Sequence, residues 1–250
     1  MSYDSDILAL SPLAYWKLNE TSGTAAADSS GNGRGATYYG ATLNQAAIAP
    51  GLGASARFAS ASSAYANSNA TLTGTKTAHT ITAWCKPSTV PTGANAVVVG
   101  GFYDGTTQSY KMGTAGDGVG HWFGQGYWSG FHDAIASSAP SAGSSYFLCA
   151  QWDGTTITVF VNGVSVATNT PGSGMPTDAG GLVIGARGDG TATQFWDGYI
   201  SNVAIFGSAI GATAIANLYT SGNAAPASPG AGFHLPAAFR RQAVIRASSF

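Results

Sequence analysis

The stretch "WDGTTITVFVNG", residues 152–163, holds a complete strand between two turn signals. Along it Thr156, Thr158 and Phe160 alternate with Ile157, Val159 and Val161. The dipeptides Asp-Gly at its start and Asn-Gly at its end are typical of tight hairpin turns, because these residues tolerate positive φ angles. The pattern therefore predicts a strand that is joined to a neighbour by a hairpin at each end.

The composition favours a folded all-β chain. The 250 residues include 35 glycines, and 11% of the side chains are aromatic while only 8% are charged. Disordered chains are normally rich in charge and poor in aromatics, so this class is excluded. A chain of this length suffices for one large all-β domain or two small ones. The net charge of −1 provides no general attraction to nucleic acid or to an anionic membrane, and neither is expected as a partner.

Short strand-like runs recur along the chain with turn signals between them. They cover residues 14–19, 56–58, 80–86, 96–102, 109–112, 120–123, 145–152, 156–162, 164–168, 181–186 and 194–206. Only "SAIGATAIANLYTSG" (208–222) has apolar residues at helical spacing, with Gly222 as its stop signal. Many short strands followed by one late helix indicate a β-sandwich.

The amino-acid composition changes after this helix, which predicts a domain over residues 1–223 and a tail over 224–250. The tail begins with the Pro/Gly linker "NAAPASPGAG" and ends with the basic and apolar segment "FHLPAAFRRQAVIRASSF". Such a segment is expected to dock, either on its own domain or on a partner. The residues expected to bind are Phe233, Leu235, Phe239, Arg240, Arg241, Arg246 and Phe250.

Several motifs, taken in order, resemble the laminin-G-like (concanavalin A-like) jelly-roll family, in particular its bacterial and viral branch. They are "LAYWKLNETSGTAAADSSGNGRGATYYGA", "HTITAWCKPST", "SSYFLCAQWDGTTITVFVNGVSVAT", "GGLVIGARGDG" and "FWDGYISNVAIFGSAIGATAIANLYTSG", and the resemblance covers residues 9–222. The resemblance implies an all-β jelly-roll sandwich of two antiparallel sheets, with one short C-terminal helix and an extended tail. Family members usually carry valine where Cys85 and Cys149 stand, so both are expected to be buried thiols.

Catalytic signatures are absent from the sequence. Glycosidases need two carboxyl groups that flank the scissile bond, but the single glutamate, Glu20, lies in the first turn. No run predicted to be a strand carries two acidic residues at alternating positions. The histidines, His79, His121, His132 and His234, stand apart from any Ser/His/Asp or Cys/His signature. The chain is therefore expected not to be an enzyme.

The loop "DSSGNG" is the one candidate for a metal site. Asp28 and Asn32 offer oxygens to a single Ca²⁺ ion, which takes six to eight oxygen ligands. The alternative is an Asx-turn, in which both side chains bind their own backbone. The resemblance bears on this choice, since the family often has a carboxylate where this chain has Ser201 and Asn202.

Aromatic residues concentrate in segment 101–134, which makes it the candidate sugar-binding region. The expected ligand-binding residues are Tyr103, Asp104, His121, Trp122, Tyr127, Trp128 and His132, with Phe131 and Asp133 in the same segment. Exposed aromatic clusters usually serve recognition. The alternative places Trp122 and Phe123 in the sandwich core, covered by Tyr127 and Trp128.

These observations lead to the hypothesis of a non-catalytic binding module on a virion surface, as a head decoration, fibre or minor tail protein. It would recognise glycans or host-surface ligands and would be anchored to a capsid or tail protein through its C-terminal tail. The start "MSYDSDILALSPLAYW" has aspartates where a signal peptide is positively charged, so assembly in the host cytoplasm and action outside the cell are expected. A purely structural decoration or cementing protein and a glycan-active hydrolase are the alternatives, and a homo-oligomer is left open.

Overall fold

The computed structural model describes residues 2–68, 70, 72, 77–103, 108–127, 130–172, 180–188 and 192–225. Within these ranges the chain forms 18 strands, two α-helices and one 3₁₀ helix, η1 (Ser60–Ser62). The α-helices are α1 (Tyr3–Ala9) and α2 (Ala212–Asn223). The strands are β1 (Ala14–Trp16), β2 (Ala25–Ala26), β3 (Ala36–Tyr39), β4 (Thr42–Gln45), β5 (Ser55–Phe58), β6 (Tyr65–Ser68), β7 (His79–Pro87), β8 (Ala96–Tyr103), β9 (Gln108–Thr114), β10 (Trp122–Tyr127), β11 (Phe131–Ile135), β12 (Tyr146–Trp152), β13 (Ile157–Val161), β14 (Val164–Asn169), β15 (Leu182–Ile184), β16 (Arg187–Gly188), β17 (Ala192–Thr193) and β18 (Gly198–Phe206).

Two antiparallel sheets of eight strands each form the sandwich. Sheet A has the order β14–β13–β12–β7–β18–β5–β4, and β1 pairs with β18 beside this path. Sheet B has the order β11–β10–β9–β8–β15–β6–β3–β2. Strands β16 and β17 form a separate hairpin. The predicted all-β jelly-roll sandwich with a short C-terminal helix is therefore confirmed.

The stretch 152–163 adopts the predicted hairpin–strand–hairpin arrangement around β13. In the first turn the Asp153 carboxylate accepts hydrogen bonds from the backbone N–H groups of Thr155 at 2.9 Å and Thr156 at 2.8 Å. In the second turn Asn162 and Gly163 have φ angles of 53° and 81°, as a two-residue turn between right-twisted strands requires. The two turns thus fix β13 between β12 and β14.

The central strands of sheet A, β7, β12 and β18, are buried on both faces. One face meets sheet B across a core that includes Trp16, Trp122, Trp152 and Trp196. The other face is covered by α1 and α2, which contribute Tyr3 and Leu218 to a second apolar cluster around Trp84. Cys85 lies in the first cluster and Cys149 in the second. Both are free buried thiols, as expected, and burial raises the pKa of each.

Helix α1 is an element that the sequence pattern did not predict. With seven residues it is too short to establish a helical period, and its stability depends on its cap and its packing. Ser2 and Ser5 form a reciprocal capping box, while Ile7 is fully buried against sheet A. Among the described residues, no helix is long and apolar enough to cross a membrane.

Gly222 lies inside α2 and does not end it, in contrast to the prediction. The glycine is buried, and a Cβ atom added to it would overlap the indole ring of Trp84. Its carbonyl oxygen accepts a hydrogen bond from the backbone N–H of Gly51 at 2.8 Å. The missing side chain therefore lets the last turn of α2 lie directly against sheet A.

Replacing Gly222 by alanine is expected to lower the free energy of unfolding. Alanine gains up to about 1 kcal/mol in helix propensity over glycine, but overpacking a close contact costs about 1–3 kcal/mol. Urea unfolding of Gly222→Ala should therefore show a net loss of stability. Asn217→Ala, at an exposed position of the same helix, serves as the control and should change stability by less than about 0.5 kcal/mol. A Gly222→Ala variant more stable than the wild type would contradict this packing role.

Candidate functional site

The outer face of sheet B, which points away from sheet A, carries a continuous row of paired residues. Directly paired residues of antiparallel strands project to the same side of the sheet, so the strand register defines this row. From β11 to β3 it runs through Asp133, Gln125, Lys111, Gly100, Val183, Asn67 and Thr37. The polar side chains of Lys111, Gln125 and Asp133 therefore lie side by side on adjacent strands, with Lys111 and Gln125 buried and Asp133 exposed.

Lys111 is held in a defined position on this face. Only 3% of its surface is exposed, and its ammonium group donates a hydrogen bond to Oε1 of Gln194 at 3.1 Å. The same Nζ atom lies 5.6 Å from the ring centre of Phe123 and 5.9 Å from that of Phe131, within the range of cation–π attraction. Two aromatic rings and an amide thus fix the lysine head group.

Gln125 and Asp133 form the adjacent part of the row. Nε2 of Gln125 donates a hydrogen bond to Oδ1 of Asp133, which orients both groups along the sheet surface. Phe131 is 64% exposed, and its ring contacts that of Tyr127 edge-on at 4.9 Å. The face therefore presents the exposed Asp133 carboxylate next to an exposed aromatic ring, with Gln125 buried beneath them.

The β16–β17 hairpin bounds this region on one side. It lies directly on the sheet, because a Cβ atom added to Gly188 would overlap the side chain of Val183. The backbone carbonyl of Gln194, which follows the hairpin, also accepts a hydrogen bond from the N–H of Val97 at 2.9 Å. The hairpin thus lies beside Lys111 and bounds this region. We name the region of Lys111, Gln125, Phe131 and Asp133 the polar face.

The structure distributes the predicted ligand-binding residues over different environments. Tyr127 lies on the polar face beside Phe131. His132 occupies the intervening position in β11, so its side chain is directed to the opposite side from those of Phe131 and Asp133. His121 precedes β10, where its Nδ1 lies 2.7 Å from Oδ2 of Asp117. Asp104 and Trp128 lie outside the described residues, as does the side chain of Tyr103.

Trp122 requires a correction. Its side chain is 1% exposed and lies in the core between the sheets, where its ring centre is 6.4 Å from that of Trp196. The alternation of β10 directs Trp122 inward and Phe123 outward, so this tryptophan does not reach a ligand on the surface. Of the two interpretations of Trp122, the core position is the one that the structure supports.

Lys111, Gln125 and Gln194 are the site residues that the sequence did not identify. Each stands alone in its segment, without a motif around it. The only local signal is the period-two spacing of Phe123, Gln125 and Tyr127. Strand pairing, which the sequence pattern does not specify, brings these residues together.

The single glutamate has a structural task. Oε1 of Glu20 accepts a hydrogen bond from the backbone N–H of Ala27 at 2.8 Å, and Oε2 accepts one from the Tyr38 hydroxyl at 2.7 Å. Burial and the neighbouring carboxylate raise the pKa of Tyr38. Both carboxylate oxygens are therefore engaged in fixing the first turn.

The Asp28 loop forms the Asx-type network that was the alternative to a calcium site. Oδ1 of Asp28 accepts hydrogen bonds from the backbone N–H groups of Tyr15 and Ser30, and Oδ2 accepts them from the Ser30 hydroxyl and the Arg34 N–H. Nδ2 of Asn32 donates to the carbonyls of Pro12 and Leu13, both at 3.1 Å. Because donors surround the carboxylate, this arrangement does not fit a calcium ion. In the part of the chain that is described, no three His, Cys, Asp or Glu residues cluster to hold a metal.

The fold and this face can now be compared with known proteins. The family model described as the concanavalin A-like lectin/glucanases superfamily matches residues 58–216. The chain belongs to this superfamily. No curated protein sequence matches the chain. The solved structures that are similar to this chain include binding domains and glycan-active enzymes.

Three solved structures illustrate the likeness. Domain 4 of AbnA, a GH43 extracellular arabinanase from Geobacillus stearothermophilus, in complex with arabinotriose, has 17% identity and a TM-score of 0.61, with 83% of this chain and 98% of that chain covered. The binding domain of Paraclostridial Mosquitocidal Protein 1 has 12% identity and a TM-score of 0.66, with 86% and 53% covered. Trypanosoma rangeli sialidase in complex with the inhibitor DANA has 12% identity and a TM-score of 0.61, with 82% and 32% covered. The chain thus spans about half of the mosquitocidal chain and about a third of the sialidase, and the likeness establishes the shared fold.

The Asp28 network predicts a pH-dependent contribution to stability. Burial alone would raise the pKa of Asp28, but hydrogen bonds from Tyr15, Arg34 and Ser30 outweigh it and lower the pKa. The ionised form is thus favoured in the folded chain, so its contribution is present above the unfolded pKa of about 3.9 and is lost as the pH falls through the folded pKa. Asp28→Asn should therefore be less stable than the wild type at pH 7, and urea unfolding should show the difference shrinking at acidic pH.

Asp6→Asn, in the first turn of α1, is the matched control and should show a change below about 0.5 kcal/mol. A difference at Asp28 that stays constant down to acidic pH would contradict the role of its charge. Calcium binding is checked by thermal unfolding with and without added calcium, because a ligand that binds the folded state raises the Tm. The contacts of Asp28 lead us to expect no rise when calcium is added.

Proposed function

We propose that this chain is a non-catalytic glycan-binding module whose ligand lies on the polar face of sheet B. The observation that carries the proposal is the exposed Asp133 carboxylate, which the buried Gln125 amide orients, beside the exposed ring of Phe131. Sugars present hydroxyl groups, which need both donors and acceptors, and apolar C–H faces, which pack on aromatic rings. The polar face offers both kinds of contact in one place.

The family and its structural relatives support this proposal. One relative is a domain described in complex with arabinotriose, and another is described as a binding domain. The sialidase and the arabinanase show that the fold also occurs in glycan-active enzymes, so the fold alone does not decide between binding and catalysis. Both carboxylate oxygens of Glu20 accept hydrogen bonds that fix the first turn. This favours binding over hydrolysis, because a typical glycosidase needs two carboxyl groups that flank the scissile bond.

The proposed setting is the surface of a virion. The support is the composition, with few charged side chains and many glycines, together with the resemblance to viral laminin-G-like domains. In this setting the C-terminal tail anchors the domain to a capsid or tail protein, and the polar face is presented to host glycans. The anchor residues, Phe233, Leu235, Phe239, Arg240, Arg241, Arg246 and Phe250, lie outside the described residues.

Glycan binding is tested with an array of neutral and acidic oligosaccharides. The wild type should bind, and Phe131→Ala or Asp133→Asn should weaken binding about tenfold or more, which corresponds to about 1.4 kcal/mol. Val164→Ala is the control, because this side chain is 65% exposed on β14 of the other sheet. Unchanged Tm values would show that the variants are folded. A wild type that binds no glycan would remove the proposal and favour a purely structural decoration or cementing role.

Anchoring is tested by deleting residues 224–250. The full chain should copurify with assembled particles, whereas the truncated chain should not, even though it retains the domain fold and glycan binding. A truncated chain that still assembles would show that the domain surface, and not the tail, makes the attachment. The full-length variant Arg240→Ala/Arg241→Ala tests the charge of the tail separately. Loss of copurification in this variant would show that the arginines, and not only the apolar side chains of the tail, contribute to the attachment.

A further inference from the structure

A second aromatic cluster lies on the outer face of sheet B, away from the polar face. Tyr39 on β3 and Tyr65 on β6 are directly paired across the strands. Their ring centres are 4.6 Å apart with an angle of 16° between the planes, so the rings are stacked. Tyr39 is 43% exposed despite this contact. The pair therefore presents aromatic surface to solvent from a rigid part of the sheet.

Phe195 extends this cluster toward the hairpin. Its ring centre lies 6.4 Å from that of Tyr65, with the planes tilted by 42°. A parallel backbone bridge to Val97 fixes the position of Phe195 on the sheet. The three aromatic residues thus form a short platform between the β3 side of the sheet and the β16–β17 hairpin. We name Tyr39 and Tyr65 the tyrosine pair.

The exposed apolar side chains of the described residues concentrate on this face. Six large apolar side chains are exposed, and three of them, Tyr39, Phe131 and Ile135, lie on the outer face of sheet B. They stand at its two ends. Strands β3 and β11 are six strand spacings apart, which is about 29 Å at about 4.8 Å each. Each end of the face therefore exposes an aromatic ring on which the C–H face of a sugar can pack.

Polar residues connect the two ends. Thr37 and Asn67 lie two positions along β3 and β6 from the tyrosine pair, and they belong to the same cross-strand row as Lys111, Gln125 and Asp133. Midway along the row the hairpin covers Val183. The hairpin therefore separates two partly exposed regions, one with Phe131 beside Asp133 and the other with Tyr39 near Thr37 and Asn67. This division suits a chain of sugars better than a flat apolar partner.

We propose that the tyrosine pair is a second sugar-binding subsite, so that the outer face of sheet B binds a linear glycan of several sugars at two places. This inference rests on the proposed function, which it extends from one sugar-binding region to two. The polar face holds one part of the chain, and a more distant sugar packs its C–H face on Tyr39. The hairpin between the two regions sets the spacing, so that short oligosaccharides reach only one of them.

The test measures affinity against glycan length. Linear arabino-, xylo- and β-gluco-oligosaccharides of increasing length, from two sugars to eight, are titrated by calorimetry against the wild type and Tyr39→Ala. For the wild type, affinity should rise with length once both regions are reached. Tyr39→Ala should lose this rise, with about tenfold weaker binding of the longest chains and unchanged binding of the shortest, since a stacking contact of about 1.4 kcal/mol corresponds to a factor of ten.

Two further variants sharpen the outcome. Tyr39→Phe retains the ring and should keep the affinity of the wild type for long chains. Tyr199→Ala removes a half-buried tyrosine of sheet A and should leave every affinity unchanged. Equal affinities of the wild type and Tyr39→Ala at all glycan lengths would overturn the second subsite. In that case a loss of binding in Phe131→Ala would still support the proposed site on the polar face. A wild type that binds none of these glycans, nor any on the array, would overturn both proposals.

Discussion

The close contact of α2 with Trp84 determines which surface of the sandwich remains open. Gly222 has no side chain at the point where the helix meets the indole ring, so the helix lies flat on sheet A. Together with α1 it buries Tyr3, Phe147 and Leu218 in a second apolar layer. The central strands of sheet A are thereby covered on both faces, as an inner sheet of a three-layer structure is. Within the described residues, the outer face of sheet B is exposed at its two ends, at Tyr39 and at Phe131, Asp133 and Ile135.

The outer face of sheet B differs chemically from the covered sheet. A buried lysine, held by Gln194 and by two phenylalanine rings, would be costly in an apolar core without such partners. On a sheet, these groups are fixed by main-chain pairing on both sides, which is the kind of support that a precise binding site needs. The neighbouring Gln125–Asp133 hydrogen bond fixes the next pair of polar groups in the same way. The side chains of the polar face are therefore held in defined positions by the protein itself.

The same architecture explains why residues that look reactive serve the fold. Glu20 and Asp28 satisfy backbone N–H groups of the first loops, and Asp197 pairs with the guanidinium group of Arg57 at 2.8 Å. Buried or half-buried backbone donors need partners, and a short acidic side chain supplies several acceptors at once. In a chain with 11 acidic residues, these tasks engage a sizeable share of the carboxylates. The outer face of sheet B carries polar side chains beside aromatic rings.

The sequence by itself determined the local elements of this protein. Asp153 and the Asn162–Gly163 turn specify hairpins because their backbone preferences and side-chain hydrogen bonds are local properties. The order of such motifs identified the jelly roll, and the apolar surroundings of Cys85 and Cys149 indicated buried thiols. These inferences need no knowledge of which strands are neighbours.

Only the tertiary structure decided which residues share a surface. An alternating strand has two faces, and the partner sheet selects the one that is buried, so Trp122 points into the core and Phe123 and Gln125 point outward. Lys111, Gln125 and Asp133 are distant in sequence and meet only through the register of β9, β10 and β11. Tyr39 and Tyr65 likewise meet only because β3 pairs with β6. Strand register depends on long-range packing, and for that reason the binding face could not be derived from local patterns.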